Sequence, residues 1–317
     1  MGGISAAIMR PAAVPVEGRA GHHAFRRRAN PARLAARQTG AARNTLGERK
    51  MPVAQINGHA MYYEIHGQGD PLICSGGWGT FCHGGERHVP EGLIDRHQVI
   101  LFDHRAIGES SDDPKVPAST GLYADDVIGL IEHLGLPPVH LVGIVGIGAC
   151  IFQEVAIRRP DLVRSLVNSG AWARVDTHFR RQMELWLEVH RTMGFAAFQR
   201  LVVIEGFDPA FVNARADKLM SSDGPWKELN GNLAAQERLT QAAVGHDTLD
   251  RLDRITAPAL IIHTGRDQMT PPRFSEPLQA GIAKAEGLRF PDAPHVITER
   301  EDRATFAREI LAFLARH

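Results

Sequence analysis

The sequence predicts an α/β protein with a mostly parallel central sheet and an inserted helical segment. Three observations predict it. From residue 51 onward, short β-branched runs alternate with amphipathic helical stretches, a pattern that requires parallel pairing through right-handed crossovers. Between residues 171 and 247 the alternation lapses into helical patterning alone, and it resumes from 248 to the C-terminus. The 317-residue length holds one large domain with such an insertion. The expected organisation is therefore a core of residues 51–170 and 248–317, with a helical cap at 171–247.

Taken in order, Val53–Ile56 and Met61–Ile65 are short β-like runs around Asn57-Gly58, a hairpin signal. Leu72–Cys74 is an apolar strand that runs into the glycine-rich Ser75-Gly76-Gly77-Trp78-Gly79. Val99–Phe102 reads as a buried strand ending at Asp103. Tyr123–Leu134 places Val127, Leu130, Ile131 and Leu134 on one helical face, and Pro137-Pro138 ends it. Strand Val139–Val142, helix Ile147–Ile157 and strand Leu162–Val167 follow. After the cap come strand Ala259–Ile262, a helix near Phe274–Ala283, a short strand Leu288–Phe290 and a final helix Arg303–Ala315. There is no internal repeat.

Composition narrows the function classes. Hydrophobic residues make up 44% and charged residues 23%, with a formal net charge of zero. No field is present to attract nucleic acid or an anionic membrane, and no apolar run approaches the roughly 20 residues of a membrane helix. The three cysteines, Cys74, Cys82 and Cys150, are an odd number without regular spacing. That fits a reducing, cytoplasmic setting rather than a disulfide framework. Paired Cys or His ligands at zinc spacing are lacking, as are a phosphate loop and a dinucleotide fingerprint, so neither metal nor cofactor is expected. Residues 1–50 are rich in Ala and Arg, including Arg26–Arg28, with Glu17 and Glu48 their only acids. They read as a disordered extension, or as sequence upstream of a start at Met51, in preference to an Arg-rich targeting segment.

Four segments carry the functional signal. Ser75-Gly76-Gly77-Trp78 follows a strand. Asp103-His104-Arg105-Ala106-Ile107-Gly108-Glu109-Ser110 forms a turn after another. Gly143-Ile144-Val145-Gly146-Ile147-Gly148 joins a strand to a helix. Ile261-Ile262-His263-Thr264-Gly265-Arg266-Asp267 ends a late strand and precedes Pro271-Pro272, and Pro294-His295 lies further on. In this order they resemble the α/β-hydrolase superfamily over most of residues 51–317. The resemblance implies that the first segment supplies an oxyanion-hole amide, with Ser75 where histidine is usual. The second matches a D-x-R-G-x-G-x-S turn, with Ala106 for the first glycine. The third occupies the nucleophile elbow, and Asp267 and His295 occupy the acid and base positions.

The elbow departs from the G-x-S-x-G pattern, in which the nucleophile sits on a strained strand-to-helix turn. Aligned on Gly143, Val145 takes the nucleophile's place and Ile147 that of the second glycine. Valine has neither a proton to lose nor a lone pair, so it forms no acyl-enzyme. A β-branched residue also tolerates positive φ poorly, which passes any such demand to Gly146 or Gly148. No Ser, Thr, Cys or Asp lies between Gly143 and Ala149. Cys150, more than a helical turn further on, reads as a structural thiol.

The rest of the apparatus is expected as a His295–Asp267 pair with the amides of Gly77 and Gly146 as the oxyanion hole. Taken singly, Asp267 would be a turn residue and His295 a surface-loop histidine; their joint placement gives them weight. Asp103 and Arg105 read as structural, and His83 and His88 as solvated residues. Ser75, Trp78, Trp172 and Trp186, with Phe195, are candidate pocket residues.

The expected partner is a small apolar compound bearing a carbonyl. The leading expectation is non-covalent base chemistry by His295 on it: lyase, decarboxylase, cyclase, isomerase, cofactor-free oxygenase or water-mediated hydrolysis. The alternatives are a receptor or scaffold that holds a ligand intact, and a conventional esterase or lactonase with a different elbow register. Oligomeric state is not legible.

Overall fold

The computed structural model describes residues 53–317; the expectation for residues 1–50 lies outside these described residues. Eight strands form one sheet. They are β1 (Val53–Ile56), β2 (His59–His66), β3 (Asp70–Ser75), β4 (His97–Phe102), β5 (Val139–Gly143), β6 (Val163–Ser169), β7 (Ala259–Thr264) and β8 (Ala285–Phe290). Their spatial order is β1-β2-β4-β3-β5-β6-β7-β8. β1–β2 and β2–β4 pair antiparallel, and every later pair is parallel. The sheet is thus mostly parallel, as its strand–helix alternation requires.

The antiparallel edge starts with a two-residue hairpin. Asn57 and Gly58 both have positive φ, 48° and 79°, the combination that matches the twist of the flanking strands. The central strands need no polar face because helices cover both sides: all five residues of β5 and all six of β7 are buried. On one side α2 (Thr120–His133) and α3 (Ile147–Arg158) bury Val127, Leu130, Ile131, Ile151 and Val155 against Ile73, Leu141 and Leu166. The Ser119 hydroxyl caps α2 by accepting from Leu122 N at 3.0 Å. On the other side α1 (Leu93–Arg96) and α9 (Arg300–Leu314) bury Leu93, Ile310, Phe313 and Leu314 against Leu72, Val99, Val142 and Ile262. At roughly 1.5–3 kcal/mol for each large apolar side chain, these two layers are the main stabilising term. α8 (Pro272–Gly281) packs Phe274 and Leu278 beside β7.

Between β6 and β7 lie α4 (Thr177–Met193), α5 (Phe195–Gly206), α6 (Pro209–Leu219) and α7 (Leu233–Val244). α4 buries Phe179, Met183, Trp186 and His190, spaced as one helical face, while Leu185 is exposed. Among the described residues no helix is long and apolar enough to cross a membrane.

The Asp103–Ser110 turn is held from within. Arg105 donates to both oxygens of Asp126 on α2, Nε to Oδ2 at 2.6 Å and Nη2 to Oδ1 at 2.7 Å, and Nη2 also reaches Asn57 O at 3.1 Å. Ala106, where the resembling turn has glycine, is at φ 63°, and the cap residue Asn232 donates to its carbonyl at 2.7 Å. This alanine carries a left-handed conformation that glycine would adopt without strain.

Candidate active site

The turn between β5 and α3 decides what chemistry is available. Its residue at positive φ is Gly146 (φ 66°, ψ −137°). Neither Val145 nor Gly148 is among the positive-φ residues. The strained corner thus falls one residue later than alignment on Gly143 places it. The reason is steric: a β-branched side chain disfavours this region and the adjacent glycine does not.

A second adjustment follows. Gly146 N donates to Gly170 O at 3.1 Å, so the amide expected in the oxyanion hole is already engaged. The next amide, Ile147 N, opens α3 and has no partner among the described residues, and neither has Gly77 N. First-turn amides have no acceptor within their own helix, and the helix dipole makes them good hosts for developing negative charge. Gly146 and Gly77 face each other: a Cβ built on Gly146 would meet only Gly77 Cα within 4 Å, at 3.5 Å.

His295 approaches from the loop between β8 and α9. A Cβ built on Gly170 would lie 3.1 Å from His295 Cε1 and 3.2 Å from Val145 Cγ2, so imidazole and valine flank the residue that holds Gly146. His295 Nδ1 is 2.8 Å from Asp267 Oδ2, and its Nε2 has no hydrogen-bond partner among the described residues. The carboxylate at Nδ1 sets the ring proton there and leaves Nε2 as the basic nitrogen. Val296 N donates to Gly206 O of α5 at 2.9 Å, which ties the histidine loop to that helix.

Asp267 is fully buried in its side chain. Burial alone would raise its pKa. The neighbouring His295 and its hydrogen bond, with the Thr270 amide and hydroxyl, outweigh burial and hold the carboxyl at about 2. Oδ1 accepts from Met269 N and Thr270 N, each at 2.8 Å, and Oδ2 accepts from the hydroxyls of Thr264 at 3.1 Å and Thr270 at 2.9 Å. Sequence reasoning passed over both threonines. The signal for Thr270 was an Asp three residues before a hydroxyl residue, the spacing of a side-chain-capped turn. Thr264, at the end of β7, had no such signal.

The aromatic candidates divide. Trp78 meets Trp186 edge-on at 5.2 Å and Phe198 at 5.5 Å, joining the Gly77 loop to α4 and α5. Trp172 is buried against Phe179 at 5.0 Å, and Phe195 stands beside Phe198 at 6.1 Å. Ser75 lies beneath the corner, its hydroxyl 3.2 Å from His104 Nε2 and crowded against Gly148. Cys150 is buried, 3.5 Å from Trp172 O. Burial pushes all three thiols up, away from nucleophilic character. His83 is less free than its sequence context suggested: it stacks on Tyr62 and its Nε2 lies 2.8 Å from Asp103 Oδ2. His88 is exposed.

Comparison with known proteins agrees with this architecture. The family model for the alpha/beta hydrolase fold matches residues 70–302. The chain is 31% identical over 236 residues to the protein named "Putative carbamate hydrolase RutD" of Azorhizobium caulinodans, covering 74% of this chain and 88% of the relative. It is 26% identical over 261 residues to the protein of the same name from Rhizobium rhizogenes, covering 80% and 97%. Among solved structures, the enol-lactonase of Burkholderia xenovorans LB400 superposes with a TM-score of 0.72 at 20% identity, covering 83% of this chain and all of that one. The extent of the family match and the identity to the first of these relatives show that the chain belongs to the alpha/beta hydrolase fold family.

Proposed function

We propose that the protein hydrolyses a small carbamate or closely related carbonyl compound by direct attack of water, with no acyl-enzyme. One observation carries the reading: the strained corner that presents a nucleophile in a serine hydrolase is Gly146, which has no side chain. The space above it faces Gly77, and Gly170, whose carbonyl holds the Gly146 amide, lies against His295. A water there would stand where a serine hydroxyl otherwise stands.

In this reading His295 Nε2 takes a proton from the water as its oxygen bonds to the carbonyl carbon. The carbonyl electron pair moves onto oxygen, where the amides of Gly77 and Ile147 receive the charge. Collapse of the tetrahedral intermediate breaks the bond to the leaving nitrogen or oxygen, which collects the proton from His295. Asp267 holds the imidazole in the reactive tautomer and stabilises its charged form. Carbamates enter on the names of the relatives. Water-mediated hydrolysis is the member of the expected base chemistries that such a substrate requires.

The test is turnover of small carbamates and activated esters by wild type and His295→Ala, with the wild-type protein followed by intact mass during turnover. The proposal expects hydrolysis by wild type, a loss of about 10²–10⁴-fold in the variant, and no acyl adduct. Equal rates in the two proteins, or a covalent adduct on wild type, would sink it.

A further inference from the structure

Where β2 runs past the end of β1, Glu64, His66 and Glu86 converge, with one donor atom from each lying within 4.8 Å of the others. Glu64 and His66 are alternate residues of β2 and so share a face. Glu86 opens a 3₁₀ turn, Glu86–His88, in the loop that leaves the Gly77 region. Twenty positions separate His66 from Glu86, so no short-range ligand motif announces the cluster. We propose that these three side chains form a binding site for a single first-row divalent cation, with zinc as the best fit to one imidazole and two carboxylates.

Three features of the geometry support a ligand set over a chance meeting of polar groups. Glu64 Oε2 and His66 Nε2 are 2.9 Å apart, so a cation replacing the proton they share needs the pair to open by only about 0.5 Å, to the edge of a zinc tetrahedron with bonds of ~2.1 Å. Glu64 is oriented from behind: Oε1 accepts from Tyr62 Oη at 2.9 Å and from His83 N at 2.8 Å, which directs Oε2 at the cluster. Hydrogen-bonded support of this kind is what fixes a ligating carboxylate. The charge is also unbalanced. Glu86 has no ion pair among the described residues, and Glu64 has none but His66. Two neighbouring carboxylates that form no ion pair with Lys or Arg, Arg87 being turned onto Gly84 O, favour a cation between them, supplied by a metal or by a protonated His66. The side chains of Glu64 and His66 are 17% and 26% exposed, so an ion can enter and water can complete its shell.

A metal here would brace the loop. Glu86 would be tied to β2 through the ion, and Glu64 already holds the His83 amide. The brace is structural and does not depend on the hydrolytic reading, so either can fail alone.

The experiment is calorimetric titration of zinc into the untagged full-length chain after chelator treatment, with His66→Ala and Glu86→Gln alongside. The result expected is a saturable uptake by wild type that is lost in His66→Ala and weakened at least about tenfold in Glu86→Gln, with a zinc-dependent rise in wild-type melting temperature. Uptake unchanged in both variants would place the ion elsewhere and overturn the proposal. Should the variants fold poorly, NMR of wild-type His66 decides. Zinc must abolish the pH titration of its ring, because the ligating nitrogen can no longer take a proton. A ring that titrates unchanged in zinc leaves protonated His66 as the bridging cation and overturns the site.

Discussion

Gly146 N donates to Gly170 O at 3.1 Å, and this bond fixes the turn on which β5 passes into α3. It occupies the Gly146 amide, while Ile147 N at the start of α3 stays open and the positive φ falls on a glycine. Gly146→Ser should therefore place a hydroxyl where a serine hydrolase carries its nucleophile. The added Cβ meets only Gly77 Cα, at an ordinary 3.5 Å, so the cost is backbone strain of about 1–3 kcal/mol. The variant is expected to react covalently with a fluorophosphonate probe, read by intact mass, while wild type and Val145→Ser do not. Labelling of Val145→Ser instead would return the corner to residue 145.

The pH dependence of stability should report Asp267. Its folded pKa is depressed to about 2, below the unfolded value of roughly 3.9. The unfolded chain therefore binds the proton first as pH falls. The stabilisation is complete above about pH 4 and lost as pH drops from there through about 2, a difference on the order of 2 kcal/mol. In urea unfolding, wild type should exceed Asp267→Asn at pH 6 and converge toward it near pH 2–3. A gap independent of pH would mean that the carboxyl titrates normally. At neutral pH the same variant should lose activity about as far as His295→Ala, because the amide no longer selects the Nε2-basic tautomer.

How far the site was legible follows from which signals are local. The strand–helix order and the Asn57-Gly58 hairpin came from motifs a few residues long, whereas the meeting of Asp267 with His295, 28 positions apart, was expected only from the family resemblance. The positive φ was expected at Gly146 or Gly148 in place of Val145, and spacing alone cannot choose between the two glycines; the structure puts it on Gly146. Thr264 and Thr270 converge on one carboxylate only once β7 has ended and the chain has turned back, and periodicity carries no trace of that. The Glu64–His66–Glu86 meeting depends on where a long loop settles, so a search for short ligand spacings passes over it. The apolar residues of the cap, by contrast, were visible, but not their directions: Trp186 is buried while neighbouring Leu185 is exposed.

Arg105 and Asp126 test the structural role of the Asp103–Ser110 turn. The pair is buried and bidentate. Burial opposes the charge on Arg105, but Asp126 overrides this and raises the guanidinium pKa. Arg105→Met strands a buried carboxylate and should cost roughly 3–5 kcal/mol. Adding Asp126→Leu removes the stranded charge and should recover most of that loss in thermal unfolding. A double variant no more stable than the single one would mean that the pair is held for more than charge balance, through its contacts to Asn57 and its neighbours.

Gly170 offers the sharpest separation of site from fold. Its φ of 58° makes any side chain strained there. The added methyl of Gly170→Ala would press on His295 Cε1 at 3.1 Å and Val145 Cγ2 at 3.2 Å, with Gly146 N at 3.4 Å behind them. The imidazole belongs to a loop and is the neighbour most able to give way. A displacement of a few tenths of an ångström would lengthen the reach of Nε2 to the water proposed above Gly146. Because base catalysis falls steeply with misplacement, kcat should drop by roughly 10–10²-fold, while stability falls only by the strain of about 1–2 kcal/mol. Adding Val145→Ala gives the methyl a second direction of relief and should restore part of kcat without restoring the melting temperature in proportion. If kcat stays at the wild-type level in Gly170→Ala while stability falls, His295 does not act at this corner, and the base of the reaction must be sought elsewhere.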